Sequence, residues 1–207
     1  MDKELIKGLI AEYQQFVKSV SFVKRAVTLS DNFNYVFVGL RRVGKSYLMY
    51  QQIHHLIETG ISPEEILFFN FEDERIAGMD TEHLDMIKRC YEEMYSHRPI
   101  FFLDEIQIVP HWEQFVRRLA DQKYRVYVTG SNAKMLSKDI ATTLGGRFMI
   151  QYVYPFSFRE YLSSNGVQLD KLWIYKNRSE VVRHFDTYFR FGRLPELLGT
   201  RETTMAE

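Results

Sequence analysis

Cysteine is nearly missing from this chain. Cys90 stands alone among 207 residues, so an intramolecular disulfide is excluded and a thiolate zinc site, which draws on several cysteines, is not expected. That usage fits a reducing compartment. An excess of charge is missing too, because 27 Lys and Arg balance 27 Asp and Glu. A bulk attraction to nucleic acid or to an anionic membrane is thereby excluded, and only a local basic patch could replace it. No apolar run approaches the roughly 18 residues of a membrane span. The N-terminal MDKELIKGLIAEYQQF is charged throughout, unlike a secretory leader. A cytoplasmic setting without a membrane partner is expected. The histidines, at 54, 55, 83, 97, 111 and 184, show no metal-ligand spacing beyond the adjacent His54-His55 pair. Repeats and low-complexity segments are absent as well.

Core-forming material is plentiful: 45% of the residues are apolar, which is enough for a globular interior. Leu5, Leu9, Phe16 and Val20, with Ile6, Tyr13 and Val17, recur at spacings of three and four and predict an amphipathic helix over 2–20. Short apolar runs at 34–38, 66–71, 99–103 and 125–129, and an alternating one at 147–154, read as strands. Helical patterns at 45–59, 81–95, 112–120 and before Gly145-Gly146 lie between them, and Ser62-Pro63-Glu64-Glu65 is a turn or one-turn helix start. Strands alternating with helices predict an α/β fold with a parallel sheet covered on both faces. After Pro155 the rhythm stops. Residues 156–200 read as mostly helical, with Phe158, Tyr161, Leu162, Trp173, Phe185, Tyr188 and Phe189 as candidate core.

The stretch GLRRVGKS, from Gly39 to Ser46, fits G-x-x-x-x-G-K-[ST] and sits between an apolar strand and a helical pattern. The chemistry explains the residue types. Gly39 and Gly44 let the backbone curl so that its N–H groups face phosphate oxygens. The helix that starts near Lys45 adds its positive N-terminal end. Lys45 would reach the β- and γ-phosphates, and the Ser46 hydroxyl would ligate Mg²⁺. Arg41 and Arg42 either flank a triphosphate or face acidic groups elsewhere. Gly39, Arg41, Arg42, Val43, Gly44, Lys45, Ser46 and Tyr47 are therefore the candidate contacts for ATP. This divides the chain into an N-terminal helical segment (1–30), a P-loop core (31–155) and a helical, lid-like segment (156–207).

The strand RPIFFLDE ends in two acids. Beside a phosphate loop, Asp104 would hold the Mg²⁺ shell opposite Ser46, and Glu105 would orient or deprotonate the attacking water. Gln107 is either a polar relay or a surface residue. The fourth strand ends Thr129-Gly130-Ser131-Asn132, and parallel strands present their C-terminal ends to ligands. Ser131 and Asn132 are candidates for sensing the γ-phosphate, or else cap the next helix.

Taken together, GLRRVGKS, FFLDEIQ, VTGSN, TLGGR and YPFSFREYL, with NFEDER after the second strand, resemble the AAA-type ATPases. Within them the chain is similar to a bacterial and archaeal family of uncharacterised ATP-binding proteins, over roughly residues 30–200. The resemblance implies a three-layer P-loop NTPase sandwich with a parallel five-stranded sheet in the order 5-1-4-3-2, followed by a small helical part. It implies ATP, ADP and Mg²⁺ as ligands, a homo-oligomer among the partners, and a longer protein whose nuclease-like C-terminal domain residues 1–207 do not include. It also implies an arginine that completes the site from the same or a neighbouring subunit, and Arg147 is the candidate. The other reading of Arg147 is an ion pair anchoring the fifth strand. Glu72 and Asp73 either approach the Mg²⁺ or pair with an arginine such as Arg41. Arg193 departs from the family pattern, standing where relatives often carry a second glycine before Pro-Glu.

Mg²⁺-dependent ATP hydrolysis is the function this implies. A nucleotide-gated switch with little turnover is the alternative. A DNA-dependent motor is a third reading, since D-E-x-Q also occurs in helicase-type boxes, though the zero net charge opposes it.

Overall fold

The computed structural model describes residues 2–131, 139–167 and 169–191. Five strands form one sheet: β1 (Asn34–Val38), β2 (Ile66–Asn70), β3 (Ile100–Asp104), β4 (Val126–Gly130) and β5 (Phe148–Tyr152). Their order is β2-β3-β4-β1-β5, and every pairing is parallel. This is the expected 5-1-4-3-2 order read from the other edge, with β4 inserted between β1 and β3. Runs such as Tyr35-Val36-Phe37-Val38 and Phe101-Phe102-Leu103 are buried on both faces, which is why they are continuously apolar.

In register, Phe68, Phe102, Tyr127 and Tyr35 form a row across four strands. The Phe102 and Tyr127 rings stack at 4.5 Å and 3°, and Tyr35 continues the stack on Tyr127 at 5.9 Å. Helix α2 (Lys45–Glu58) covers this face through Tyr50, whose ring meets Phe68 at 5.4 Å. The opposite face carries α4 (Trp112–Asp121), whose Phe115 packs edge-on against Phe101, with α3 (Thr81–Met94) beside it. The result is a three-layer α/β/α sandwich.

Helix α1 (Lys3–Ser19) covers the β2 edge. Asp2 caps it by accepting the Glu4 N–H. Tyr13 straddles the edge, touching Phe68 and Phe69 on opposite faces of the strand. Gln14 Nε2 donates to the outward carbonyl of Ile66 at 3.0 Å, satisfying an edge acceptor that a further strand would otherwise seek.

After α5 (Asp139–Thr143) and β5, the chain enters α6 (Phe158–Ser164), α7 (Lys171–Lys176) and α8 (Arg178–Phe191). Tyr161, Leu162 and Tyr188 form a second, smaller apolar cluster with Phe158. Ser157 and Glu160 form a capping box that starts α6.

Four of the five strands differ from the sequence expectation by one or two residues at an end, β2 stopping at Asn70 and β4 running from Val126 to Gly130, and pairing explains the shifts of β3 and β5. Strand β3 runs on to Asp104, because Asp104 pairs with Asn70 and its carbonyl accepts the Phe71 N–H at 3.0 Å. Strand β5 is shorter than 147–154 because its partner β1 ends at Val38, whose carbonyl takes the last ladder bond from the Val153 N–H at 2.7 Å.

Leu9 in α1 is 1% exposed. Leu9→Ala should cost about 2–4 kcal/mol in urea unfolding while the transition stays single. An unchanged midpoint would show that α1 does not belong to the core.

Candidate functional site

The parallel register puts the C-terminal ends of β1, β2, β3 and β4 on one edge of the sheet. Val38 lies opposite Gly130, and Asn70 opposite Asp104. Each following segment therefore starts from the same place, and these segments supply the site.

The loop after β1 begins with a close backbone approach. A Cβ at Gly39 would stand 2.4 Å from the Val153 carbonyl oxygen, so only glycine fits. Gly44 ends the loop at φ 90° as the N-cap of α2, a backbone region where side chains are strained. Lys45 opens the helix and is 4% exposed. Its Nζ donates to the Leu40 carbonyl at 3.2 Å, closing the loop on itself, and lies 3.6 Å from Glu105 Oε1. Val43 is fully buried. Arg42 holds φ 67°, and the exposed Arg41 lies 3.6 Å from Glu72. Tyr47 is half-exposed on α2, edge-on to Tyr50 at 5.5 Å.

Asp104 is the most deeply buried acid of this edge, at 3% exposure. Thr129 Oγ1 donates to its Oδ1 at 2.5 Å and accepts the Glu105 N–H at 2.8 Å. One buried hydroxyl thus sets both carboxyl-bearing residues. Burial pushes the Asp104 carboxyl up to about 6, with the Glu105 charge adding to it, while hydrogen bonds from Thr129 and Ser46 and the Lys45 charge oppose the rise. The carboxylate is therefore short of compensating charge. A divalent cation between the Ser46 hydroxyl and Asp104 would supply it, and a hard oxygen donor pair of this kind suits Mg²⁺. No cluster of three or more His, Cys, Asp or Glu occurs among the described residues, so phosphate and water would complete such a shell.

Glu105 sits at φ 52°, where the chain turns out of β3. Its Oε2 accepts from Gln107 Nε2 at 2.6 Å and from Ser131 Oγ at 3.1 Å. Gln107 is thus half-buried beside the acid. Its Oε1 is buried without a partner among the described residues, an acceptor directly beside Glu105.

A family model described as an AAA domain matches residues 31–162. The chain belongs to the AAA domain family. That membership supports an ATP-binding, ATPase-type function. An uncharacterised Methanocaldococcus jannaschii protein, MJ1544, is 30% identical over 197 residues, covering 94% of this chain and 43% of its own. An uncharacterised Haemophilus influenzae protein is 33% identical over 182 residues, covering 86% of this chain and 44% of its own. The chain thus spans less than half the length of these relatives. Among solved structures, the Saccharomyces cerevisiae Hsp104–ADP complex superposes with TM-score 0.54 at 15% identity, over 96% of this chain and 31% of that one. The likeness shows a shared fold.

Not every candidate of this AAA domain reaches the edge. Arg147 precedes β5, at the opposite end of the sheet from the loop. Asn34 Nδ2 donates to its carbonyl at 3.2 Å, so it lies level with the start of β1. Four residues of strand, about 13 Å, separate that level from Val38. Its guanidinium pairs with Asp121 at the end of α4. Within its own chain Arg147 therefore does not meet Lys45. Asp73 is also engaged elsewhere. Arg75 and Tyr13 donate to it, and the Arg75 hydrogen bonds hold its carboxyl far below the usual range. Asn132 and Arg193 lie outside the described residues.

Sequence reasoning missed two residues at this edge. Thr129 was visible as the one threonine of the strand, one residue before the strand end. Arg25, whose Nη1 donates to the Val43 carbonyl at 3.1 Å, offered no local signal.

Asp104 binds its proton more tightly folded than unfolded, since burial raises its value from 3.8 to about 6. The charged form therefore costs stability above pH 6, and the cost fades as pH falls toward 4. Asp104→Asn should stabilise the nucleotide-free protein above pH 6 by up to about 3 kcal/mol, with no gain below pH 4. Urea unfolding at pH 4 and pH 8 measures this, and equal shifts at both pH values would contradict it.

Proposed function

We propose that residues 39–46 hold the phosphates of ATP together with Mg²⁺, and that the protein hydrolyses the terminal phosphoanhydride. One observation carries this reading. Lys45, Ser46, Asp104 and Glu105 converge on one sheet edge, with Lys45 Nζ 3.6 Å from Glu105 Oε1 and Thr129 Oγ1 bonded to both Asp104 Oδ1 and the Glu105 N–H. In the proposed roles, the loop N–H groups and Lys45 bind β- and γ-phosphate oxygens, and Ser46 with Asp104 holds the metal. Mg²⁺, when bound, neutralises charge on those oxygens. Glu105 accepts a proton from the attacking water or orients it, with Gln107 and Ser131 fixing the carboxylate.

Arg147 enters from a second copy of the chain. Its distance from the loop within one chain supports this, because an Arg147 guanidinium that neutralises the transferring phosphoryl must then come from a second copy. A homo-oligomer follows as part of the proposal. The dispersed chain would behave as a nucleotide-gated switch, binding ATP with little turnover. In a longer protein, residues 156–191 would pass the nucleotide-dependent motion to whatever domain follows, a nuclease-like one being the expectation from resemblance.

Phosphate release from Mg²⁺-ATP, measured per chain over a wide range of protein concentration, tests the proposal. The rate should climb with concentration. Lys45→Ala should abolish both release and binding of fluorescent mant-ADP, a loss of at least a hundredfold. A wild-type chain that binds no nucleotide would overturn the proposal. A flat but measurable rate would remove Arg147 from the mechanism.

A further inference from the structure

Arg25 lies in the segment joining α1 to β1, and its side chain is 8% exposed. Nε donates to Glu160 Oε1 at 2.8 Å, Nη1 to the Val43 carbonyl at 3.1 Å, and Nη2 to the Tyr154 carbonyl at 2.6 Å. The guanidinium also lies over the Phe156 ring, 4.8 Å from its centre. Its backbone is clamped to α2 from both sides. The Arg25 N–H donates to Gln51 Oε1 at 2.6 Å, and Gln51 Nε2 returns a bond to the Arg25 carbonyl at 3.1 Å. Glu160 is equally well held. It accepts from the Ser157 N–H and hydroxyl, each at 2.8 Å, and caps α6.

A buried ion pair of this kind is weak support for stability alone, since desolvation offsets much of its attraction. What it does here is join three separate segments to the nucleotide loop. Val43 immediately precedes Gly44, and in a trans peptide the carbonyl of one residue and the N–H of the next point in opposite directions. Holding the Val43 carbonyl outward on Arg25 therefore turns the Gly44 N–H the other way, toward the side where a phosphate would be cradled. The start of the loop is tied to the same exit strand, because Gly39 packs against the Val153 carbonyl.

We propose that Arg25 is a positioning residue for nucleotide binding: it orients the Val43–Gly44 peptide and, through Glu160, couples the loop to helix α6. This rests on the nucleotide reading of residues 39–46. In the relay, a shift of the loop on binding moves Arg25 against Glu160 and changes how the start of α6 is held.

The test uses the whole chain, with Mg²⁺ and mant-ADP as probe and hydrogen exchange of residues 157–164 as second readout. Arg25→Lys keeps a positive charge but not the forked geometry. It should weaken mant-ADP binding at least tenfold and erase the nucleotide-dependent change in α6 exchange. Glu160→Gln leaves both carbonyl contacts of Arg25 in place. It should bind within threefold of wild type yet lose the α6 response. A merely structural role would lower the melting temperature without moving the affinity of the folded protein. Binding within threefold for a folded Arg25→Lys, or an intact α6 response in Glu160→Gln, overturns the proposal. The latter variant decides the relay even where Arg25→Lys does not fold. Failure of the wild-type chain to bind mant-ADP would instead bring down the reading of the loop, and this inference with it.

Discussion

The arrangement depends on a buried carboxylate that the protein does not fully neutralise. Asp104 is taken out of water at the end of β3, and its partners in the chain are a hydroxyl from β4, a hydroxyl from α2 and the Lys45 charge. Burying a carboxylate is costly unless charge and hydrogen bonds replace the lost water. The parallel register answers part of this by placing Thr129 directly across from Asp104. The phosphate loop answers another part by delivering Ser46 and Lys45. What remains is a deficit of positive charge at the edge where a metal-bound polyphosphate would sit. The stability cost and the proposed binding site are thus the same feature.

Holding such an edge to fractions of an ångström requires a stiff frame. The aromatic row from Phe68 to Tyr35 packs the sheet face under the site, and α1 closes the β2 edge. The loop itself is braced rather than free. Gly39 rests on the backbone leaving β5, the Val43 carbonyl is held by Arg25, and the Leu40 carbonyl by Lys45. Each brace uses a backbone group, so the loop's shape is fixed before any side chain meets a ligand. The second apolar cluster, around Tyr161 and Tyr188, connects to this frame through Glu160 and Arg25.

Much of this was legible in the sequence because its signals are contiguous. The phosphate loop and the strand ending Asp104-Glu105 each lie within a dozen residues, and every element of the strand–helix alternation is marked by its own local pattern. The strand order was not readable from spacing and came from family resemblance. Arg147 teaches a different lesson. The rule that brings strand ends to the site also takes strand starts away from it, so a residue opening β5 was bound to lie at the far edge of its own chain. Gln107 and Thr129 needed the fold, because their roles depend on which neighbour lies across the sheet. Arg25 lies 135 residues from Glu160, and nothing local marks such a pairing.

The most direct measurement pairs nucleotide occupancy with phosphate release in the Glu105→Gln protein. The account requires that this variant hold Mg²⁺-ATP about as tightly as the unaltered chain while release falls by at least a hundredfold. A variant that keeps releasing phosphate at the unaltered rate would contradict the account, because the chemistry would then not run through the edge that Asp104 and Glu105 define.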